Sequence, residues 1–184
     1  DSRRGRTVLF GGDPRTSRFL FDTWVLTDAG WDTISSPTTP PARARHVLGY
    51  DRVHDQIVLF GGLGGADGDV LLADTWVFDG VDWKPVGGPG PSPRDDAALA
   101  WSYARQRLVL FGGRDSVNTT ASDTWEWDGD GWVEVPIDLG LRPQSRGNHV
   151  LTSSRDGVFL IGGDAELPRA PDDIWEFRYE GIRL

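Results

Sequence analysis

The sequence predicts an all-β protein built from about four similar small sheets, and three repeated features lead to this prediction. An apolar run ending in two glycines returns every 50 or 51 residues, at Phe10-Gly11-Gly12, Phe60-Gly61-Gly62, Phe111-Gly112-Gly113 and Ile161-Gly162-Gly163. A tryptophan follows each pair after a variable segment, at Trp24, Trp76, Trp125 and Trp175. A second tryptophan lies seven residues later at Trp31, Trp83 and Trp132, with Ile182 in that place in the last copy. A period near 50 residues with strand-like segments is typical of β-propellers, whose blades bury their faces against their neighbours.

Each repeat predicts four short strands in a fixed order. The first strand carries small and aliphatic residues behind an arginine, and the second ends in the glycine pair, where positive φ or close backbone approach is required. The third contains an aspartate two residues before its tryptophan, and a turn rich in Asp and Gly leads to the fourth. We therefore expect one array of blades over residues 1–184, with units at approximately 1–39, 40–91, 92–142 and 143–184.

The first unit begins directly with its second strand, so the first blade is predicted to lack its innermost strand. An incomplete blade exposes unpaired backbone groups and an apolar face, which favours pairing with another strand. We expect the array to be part of a larger propeller, or to be completed by another chain or by self-association with a second copy.

Composition excludes several classes of function. The net charge of −9 argues against a general nucleic-acid or anionic-membrane binder, because phosphate neutralisation needs clustered cations. No apolar run reaches the roughly 18 residues that would predict membrane insertion. The chain has no cysteine, so it contains no disulfide and no thiolate nucleophile or thiolate metal ligand. We predict no cofactor and no metal site, and the compartment is left open.

The repeated motifs resemble those of the kelch family. The match rests on an arginine- and histidine-bearing first strand, the glycine pair, the aromatic third strand and the tryptophan-led fourth, and it covers nearly the whole chain. Ala97 departs from the pattern, because His46 and His149 occupy its place in the neighbouring repeats. The resemblance implies a propeller whose partner-binding surface is formed by loops.

Antiparallel pairing of the first two strands predicts where those loops gather. The start of the first strand and the end of the second must lie on one face, here called the loop face. The candidate binding residues of this face are Arg43, Arg45, His46, Arg94, Asp95, Asp96, Trp101, Arg114, Asp115, Arg146, Asn148 and His149. Asp164 and Glu166 are placed on the same face.

Two groups among these candidates have alternative interpretations. The repeated arginines, Arg43, Arg94 and Arg146, are either buried partners of the repeated aspartates or residues that face the shared surface. The two histidines are expected to have structural or surface roles, since metal ligands must converge on one point.

We predict a non-catalytic scaffold that recognises a protein or peptide. The repeated aspartates do not suggest acid–base catalysis, which needs two carboxylates in different environments, and no Gly-x-Ser-x-Gly motif occurs. The alternatives are a carbohydrate-binding module, with Trp101 or the loop from Gly62 to Asp74 contacting the sugar, and a non-catalytic segment of a larger kelch-containing enzyme. The tryptophans at repeated positions are interpreted as packing between blades.

Overall fold

The computed structural model describes residues 1–15, 18–65, 67–115, 117, 119–136, 142–165 and 173–177. These residues form β1 (Thr7–Gly12), β2 (Leu20–Thr27), β3 (Gly30–Ile34), β4 (Val47–Asp51), β5 (Gln56–Phe60), β6 (Leu63–Gly64), β7 (Val70–Leu71), β8 (Thr75–Phe78), β9 (Trp83–Val86), β10 (Ala98–Ser102), β11 (Arg107–Phe111), β12 (Thr124–Trp127), β13 (Trp132–Glu134), β14 (Val150–Ser153), β15 (Val158–Ile161) and β16 (Ile174–Phe177). The predicted all-β class is confirmed. Across these same residues, no helix has the length and apolar character needed to cross a membrane.

Four antiparallel sheets follow one another along the chain, in the strand orders β1-β2-β3, β4-β5-β8-β9, β10-β11-β12-β13 and β14-β15-β16. A small hairpin, β6-β7, lies in the loop of the second sheet. The order within each sheet is the one predicted from the repeat. In the described residues the first sheet has no strand beyond β1. The fourth strand of the last repeat, with Ile182, lies outside the described residues, and the division into blade units remains a prediction.

The glycine pairs connect each sheet to the next one. The N–H of the second glycine donates to the carbonyl of the next sheet's arginine, at 2.9 Å for Gly62 and Arg94 and 2.9 Å for Gly113 and Arg146. The first glycine has positive φ and touches the same segment, so a Cβ on Gly61 would stand 2.7 Å from the Arg94 carbonyl oxygen. Only glycine satisfies both conditions at this position.

Hydrophobic clusters fill the space between neighbouring sheets. Phe10, Leu59 and Trp83 lie in the cluster between the first and second sheets, and Phe60 and Trp132 lie in the one between the second and third. The indole N–H of Trp83 donates to Thr23 Oγ1 and that of Trp132 to Thr75 Oγ1, both at 2.9 Å. The outer tryptophan of each of these sheets is therefore fixed to the preceding sheet by packing and by one hydrogen bond.

The outer faces of the first and fourth sheets, which correspond to faces buried between neighbouring sheets elsewhere in the array, are uncovered in the described structure. On the first sheet, Leu9 is 43% exposed and Trp31 is 50% exposed, whereas Leu59 and Trp83 occupy the same positions in the second sheet and are 0% and 1% exposed. On the opposite face of the fourth sheet, Ile161 and Ile174 are 43% and 71% exposed.

Candidate binding surface on the loop face

An arginine–aspartate–tryptophan unit with a buried arginine underlies the loop face in three sheets. In the second sheet, Arg43 Nη1 and Nη2 donate to the two carboxylate oxygens of Asp74 at 2.7 and 2.6 Å, and Nη1 also donates to the Gly61 carbonyl at 3.0 Å. Trp76 Nε1 donates to Oδ2 of the same aspartate at 2.6 Å. The equivalent units are Arg94, Asp123 and Trp125 in the third sheet and Arg146, Asp173 and Trp175 in the fourth.

The repeated arginines are therefore buried partners rather than surface residues. Arg43, Arg94 and Arg146 are 0%, 3% and 0% exposed. Their place on the candidate surface needs correction, because a guanidinium out of water must have its donors paired, and the carboxylate and carbonyl groups of its own sheet do this. The hydrogen bonds and charge of Arg146 hold the pKa of Asp173 below its usual range, against the opposing effect of burial.

The residues two positions after these arginines share an unusual backbone conformation. Arg45, Asp96 and Asn148 have φ of 56°, 51° and 53°, a left-handed region that side chains other than glycine seldom adopt. The N–H of Asp96 donates to the carbonyl of Arg45 at 3.3 Å, and the N–H of Asn148 donates to the carbonyl of Asp96 at 3.1 Å. One chain of backbone hydrogen bonds thus runs across three sheets where their inner strands begin.

The predicted proximity of strand starts and glycine-pair ends is present in the backbone. Isolated bridges pair Ala44 with Leu63, Asp95 with Arg114, and Gly147 with Asp164. Each bridge joins the residue after a buried arginine to the residue after a glycine pair. This arrangement holds the loop-face side chains on a paired backbone rather than on free loops.

Six polar side chains form what we call the loop-face cluster: Arg45, Asp95, Asp96, Arg114, Asn148 and Asp164. Arg45 Nη1 lies 3.2 Å from Asp95 Oδ2 and 3.9 Å from Asp96 Oδ2. On the other side, Asp164 Oδ2 accepts hydrogen bonds from Arg114 Nη2 at 3.0 Å and from Asn148 Nδ2 at 2.9 Å. The side chains of Arg45 and Asp164 are each 58% exposed, so both remain available to a partner.

Asp96 is the residue that electrostatically connects the two halves of this cluster. Burial raises its pKa, and the neighbouring carboxylates of Asp95 and Asp164 raise it further, while Arg45 and Arg114 lower it. Three carboxylates thus share two guanidiniums. The cluster favours a cationic group of a partner and can also pair an acidic group through its exposed arginine.

The two histidines of the candidate set lie beneath the face. Their rings pack edge-on against Phe10 and Phe111, with centroid distances of 5.7 Å for His46 and 5.5 Å for His149. Burial, assisted by the nearby Arg43 and Arg146 respectively, lowers the pKa of each to about 4. Both rings are neutral at pH 7. The described residues contain no group of three or more His, Asp or Glu side chains placed to hold a metal ion.

Trp101 does not belong to the loop face, and its predicted position needs correction. It pairs with Leu108 near the end of β10 that is remote from Asp95, and it is only 8% exposed. There it borders a cavity of about 350 Å³ together with Tyr50 and Leu151. The strand direction gives the reason: the hairpin places the start of β10 at the loop face and its end at the opposite face.

Asp115 has a local structural role, since its Oδ1 accepts the backbone N–H groups of Val117 and Thr119 at 3.0 and 2.8 Å. Glu166 lies outside the described residues. The bonded chain of positive-φ residues could not be predicted as a whole from the sequence. The available signal is the aspartate or asparagine two residues after Arg94 and Arg146, because these residue types tolerate that conformation best, whereas the equivalent Arg45 gives no such signal.

Comparison with known proteins agrees with this architecture. The profile of the KLHDC2/KLHL20/DRC7 Kelch-repeats domain matches residues 2–163. The chain is 32% identical to an F-box/kelch-repeat protein of Arabidopsis thaliana, over 91% of this chain and 38% of that protein. It is 31% identical to tRNA wybutosine-synthesizing protein 4 of Emericella nidulans, over 86% of this chain and 17% of the relative.

Dynein regulatory complex subunit 7 of Chlamydomonas reinhardtii is 30% identical, over 77% of this chain and 12% of that subunit. The chain thus spans well under half the length of these relatives. The chain repeats a strand that ends in Gly-Gly, and three of its sheets contain the arginine–aspartate–tryptophan unit. Since the family profile also matches most of its residues, the chain belongs to the kelch-repeat family, with an all-β, propeller-type architecture.

Proposed function

We propose that this chain is a non-catalytic scaffold that recognises a protein or peptide through the loop-face cluster. The observation that carries the proposal is the bonded chain of Arg45, Asp96 and Asn148, which presents charged and polar side chains from three sheets on a fixed backbone. A surface that is already ordered loses little conformational entropy when a partner binds. Binding residues are commonly found on loops held by such a rigid scaffold.

The charges of the cluster indicate the chemistry of the partner. Carboxylates outnumber guanidiniums, and the whole chain carries a net charge of −9. We therefore propose that the partner presents a lysine or arginine towards Asp96 and Asp164, with an acidic or amide group beside Arg45. Association through such exposed charges should weaken as salt rises, because the Debye length falls to about 8 Å at physiological ionic strength.

The relatives support a role in protein assembly. One relative is, by its name, a subunit of the dynein regulatory complex, and another combines kelch repeats with an F-box. A second candidate follows from the wybutosine-synthesizing relative, of which this chain matches 17%: here the array would be the non-catalytic part of a larger enzyme. The carbohydrate-binding alternative has less support, since Trp101 is buried.

The proposal is tested by affinity capture on the chain, followed by a titration with the partner so identified. Arg45→Glu, which opposes the partner's acidic group, and Asp164→Asn, which removes a carboxylate facing its cation, should each lower the partner's affinity by roughly tenfold or more, as expected for a lost charge-assisted contact. Arg155→Glu, in the exposed turn after β14, makes the same charge change as Arg45→Glu far from the cluster and should leave affinity intact. Equal binding by all three variants would remove the loop face as the site.

We also propose self-association through the two uncovered apolar faces. The face bearing Leu9 and Trp31 on the first sheet and the face bearing Ile161 and Ile174 on the fourth are of the kind that neighbouring sheets bury elsewhere in the array. Light scattering behind size exclusion should then give twice the chain mass of 20.3 kDa. Trp31→Glu should return the mass to that of one chain, and a single-chain mass for the unmodified protein would exclude this association.

A further inference from the structure

The cavity of about 350 Å³ beside Trp101 lies between the inner strands β4, β10 and β14. Each strand lines it with its second, third and fourth residues, which are 48–50, 99–101 and 151–153. The three registers are equivalent, since the first residue of each strand pairs with the residue before a glycine pair. The cavity is therefore built from the same positions of three repeats, towards the face opposite to the loop face.

One of these positions differs between the repeats. The fourth residue is Tyr50 in β4 and Trp101 in β10, and both rings pack in the cluster between their own sheet and the preceding one. In β14 the same position is Ser153, although the third and fourth sheets also pack together through an apolar cluster. A hydroxymethyl group fills far less space than a ring. Part of the cavity thus corresponds to space that an aromatic ring occupies in the other two interfaces.

The walls of the cavity are apolar on one side and polar on the other. Leu99 and Leu108 close it towards β4, where a Cβ on Gly49 would stand 2.6 Å from the first side chain and 2.7 Å from the second. On the side of β14, Thr152 and Ser153 are exposed. A mostly apolar cavity of this size with a few polar groups has the character of a small-molecule site.

Arg52 supplies the cationic group of this cavity. Its guanidinium stacks over the ring of Tyr103, with Cζ 5.3 Å from the centroid, and so reaches from the turn after β4 to the turn after β10. Stacking leaves the in-plane N–H groups open to a ligand. Among the described residues, no carboxylate forms an ion pair with Arg52. The carboxylate of Asp1, which also borders the cavity, is bound by Arg4 and Arg6.

The other polar groups also favour a ligand with acceptor atoms. The indole N–H of Trp101 donates to none of the described residues. The hydroxyls of Thr152 and Ser153 can each donate one hydrogen bond. The hydroxyl of Tyr50 already donates to Asp55 Oδ1 at 2.6 Å, so only its acceptor lone pairs remain.

We propose that this cavity binds a small aromatic carboxylate. The ring would lie beside Ser153, and the carboxylate would accept hydrogen bonds from the guanidinium of Arg52. A neutral compound with the same ring would leave Arg52 without an anionic partner and should bind more weakly. The site shares no residue with the loop-face cluster, so it is independent of the proposed protein-binding function.

Three probes that share parts of one structure test this inference. Phenylacetate has the ring and the carboxylate, phenylacetamide has the ring without the charge, and acetate has the charge without the ring. Each would be titrated into the full chain carrying ¹⁵N in its tryptophan side chains. The indole N–H signal of Trp101 would be followed by NMR, and Trp101→Phe identifies this signal by its absence.

Three variants complete the test. Ser153→Tyr copies the residue of β4, so it should fill the ring site and keep the fold. Arg52→Gln removes the charge at the cavity. The control is Arg18→Gln, which makes the same charge change at an exposed position in the loop after the first glycine pair, on the loop face. Thermal unfolding would establish that each variant is folded.

Phenylacetate should shift the Trp101 signal saturably, whereas acetate should not. Phenylacetamide should bind at least about tenfold more weakly, as expected for the loss of a charge-assisted contact. Ser153→Tyr should abolish the response to phenylacetate, and Arg52→Gln should reduce the affinity for phenylacetate to that for phenylacetamide. Arg18→Gln should bind as the unmodified protein does.

Several outcomes would overturn this inference. No saturable shift with phenylacetate would remove the cavity as a site for this class of ligand. Equal affinities for phenylacetate and phenylacetamide would show that the guanidinium is not recognised. Unchanged binding to folded Ser153→Tyr would place the ligand elsewhere. If Ser153→Tyr does not fold, the three probes and Arg52→Gln still decide the question, and none of these results bears on the loop-face proposal.

Discussion

Replacing Arg94 by alanine should cost the fold more than replacing any exposed arginine. Arg94 is 3% exposed and donates five hydrogen bonds: two to the carboxylate of Asp123, one to the Gly112 carbonyl and two to Ser92. Alanine removes all of them and leaves a carboxylate, 26% exposed in its side chain, without its counter-charge. Removing one partner of a buried pair costs about 3–5 kcal/mol.

That loss is large enough to be measured directly. Urea unfolding followed by tryptophan fluorescence should show a lower midpoint, and the melting temperature should fall by roughly 6–20 °C for a chain of this size. The matched control is Lys84→Ala, because both side chains of its ion pair with Asp79 are exposed, at 65% and 47%, and such a surface pair contributes little to stability. The double change Arg94→Met with Asp123→Leu should recover part of the loss, because no charge is then left unpaired.

The reasoning would be refuted if Arg94→Ala and Lys84→Ala destabilised the protein equally. It would also fail if the double change were as unstable as Arg94→Ala alone. The first result would mean that the buried unit is no stronger than a surface ion pair. The second would mean that the loss comes from the missing side-chain volume and not from the uncompensated carboxylate.

Three further predictions follow from the same contacts. Because the folded-state pKa of His149 is lowered to about 4, its neutral ring stabilises the fold fully above pH 6.5, and this contribution should be lost as pH falls from 6.5 towards 4. His149→Ala, which copies Ala97 of the neighbouring repeat, should flatten that part of the curve of unfolding free energy against pH. An unchanged slope would contradict the assignment. Trp132→Ala should cost about 3–5 kcal/mol, since the ring is 7% exposed and bonded to Thr75, whereas Trp31→Ala should cost far less in chemical denaturation because Trp31 is 50% exposed. Gly112→Ala should destabilise more than Gly162→Ala in thermal unfolding, because both have positive φ but only the former Cβ would stand 2.5 Å from the Arg146 carbonyl oxygen; equal losses would show that backbone strain alone decides.

The strand order could be predicted from sequence because its signals are local. The glycine pair, the tryptophan and the turn after it lie at constant offsets, and each marks one strand or one turn. The two possible roles of the arginines could not be separated in that way. Arg43 and Asp74 are 31 residues apart, and Arg94 and Asp123 are 29 apart, so their pairing depends on how β4 and β8 or β10 and β12 are placed within their sheets.

The candidate surface was partly predictable for the same reason. Hairpin geometry places Arg45, Asp96 and Asn148 together, and that much follows from strand direction alone. The bonds between their backbones depend on the positions of three separate sheets, which no local pattern encodes. Trp101 lies away from this surface because it stands near the far end of β10, where the strand has already crossed from the loop face to the opposite face.

A repeat in which neighbouring sheets supply one another with bonding partners also shows which partners its outer sheets lack. Trp83 and Trp132 each donate a hydrogen bond to a threonine of the preceding sheet, and the second glycine of each pair donates one to an arginine carbonyl of the following sheet. The first sheet has no preceding sheet in the described residues. There Trp31, the equivalent of Trp83, is exposed, and Oδ1 of Asp22 accepts no hydrogen bond. An unpaired carboxylate oxygen shielded from water is costly, so we expect Asp22 to stabilise its sheet less than its three paired counterparts stabilise theirs. The repeat thus shows, position by position, which bonding partner an outer sheet lacks among the described residues.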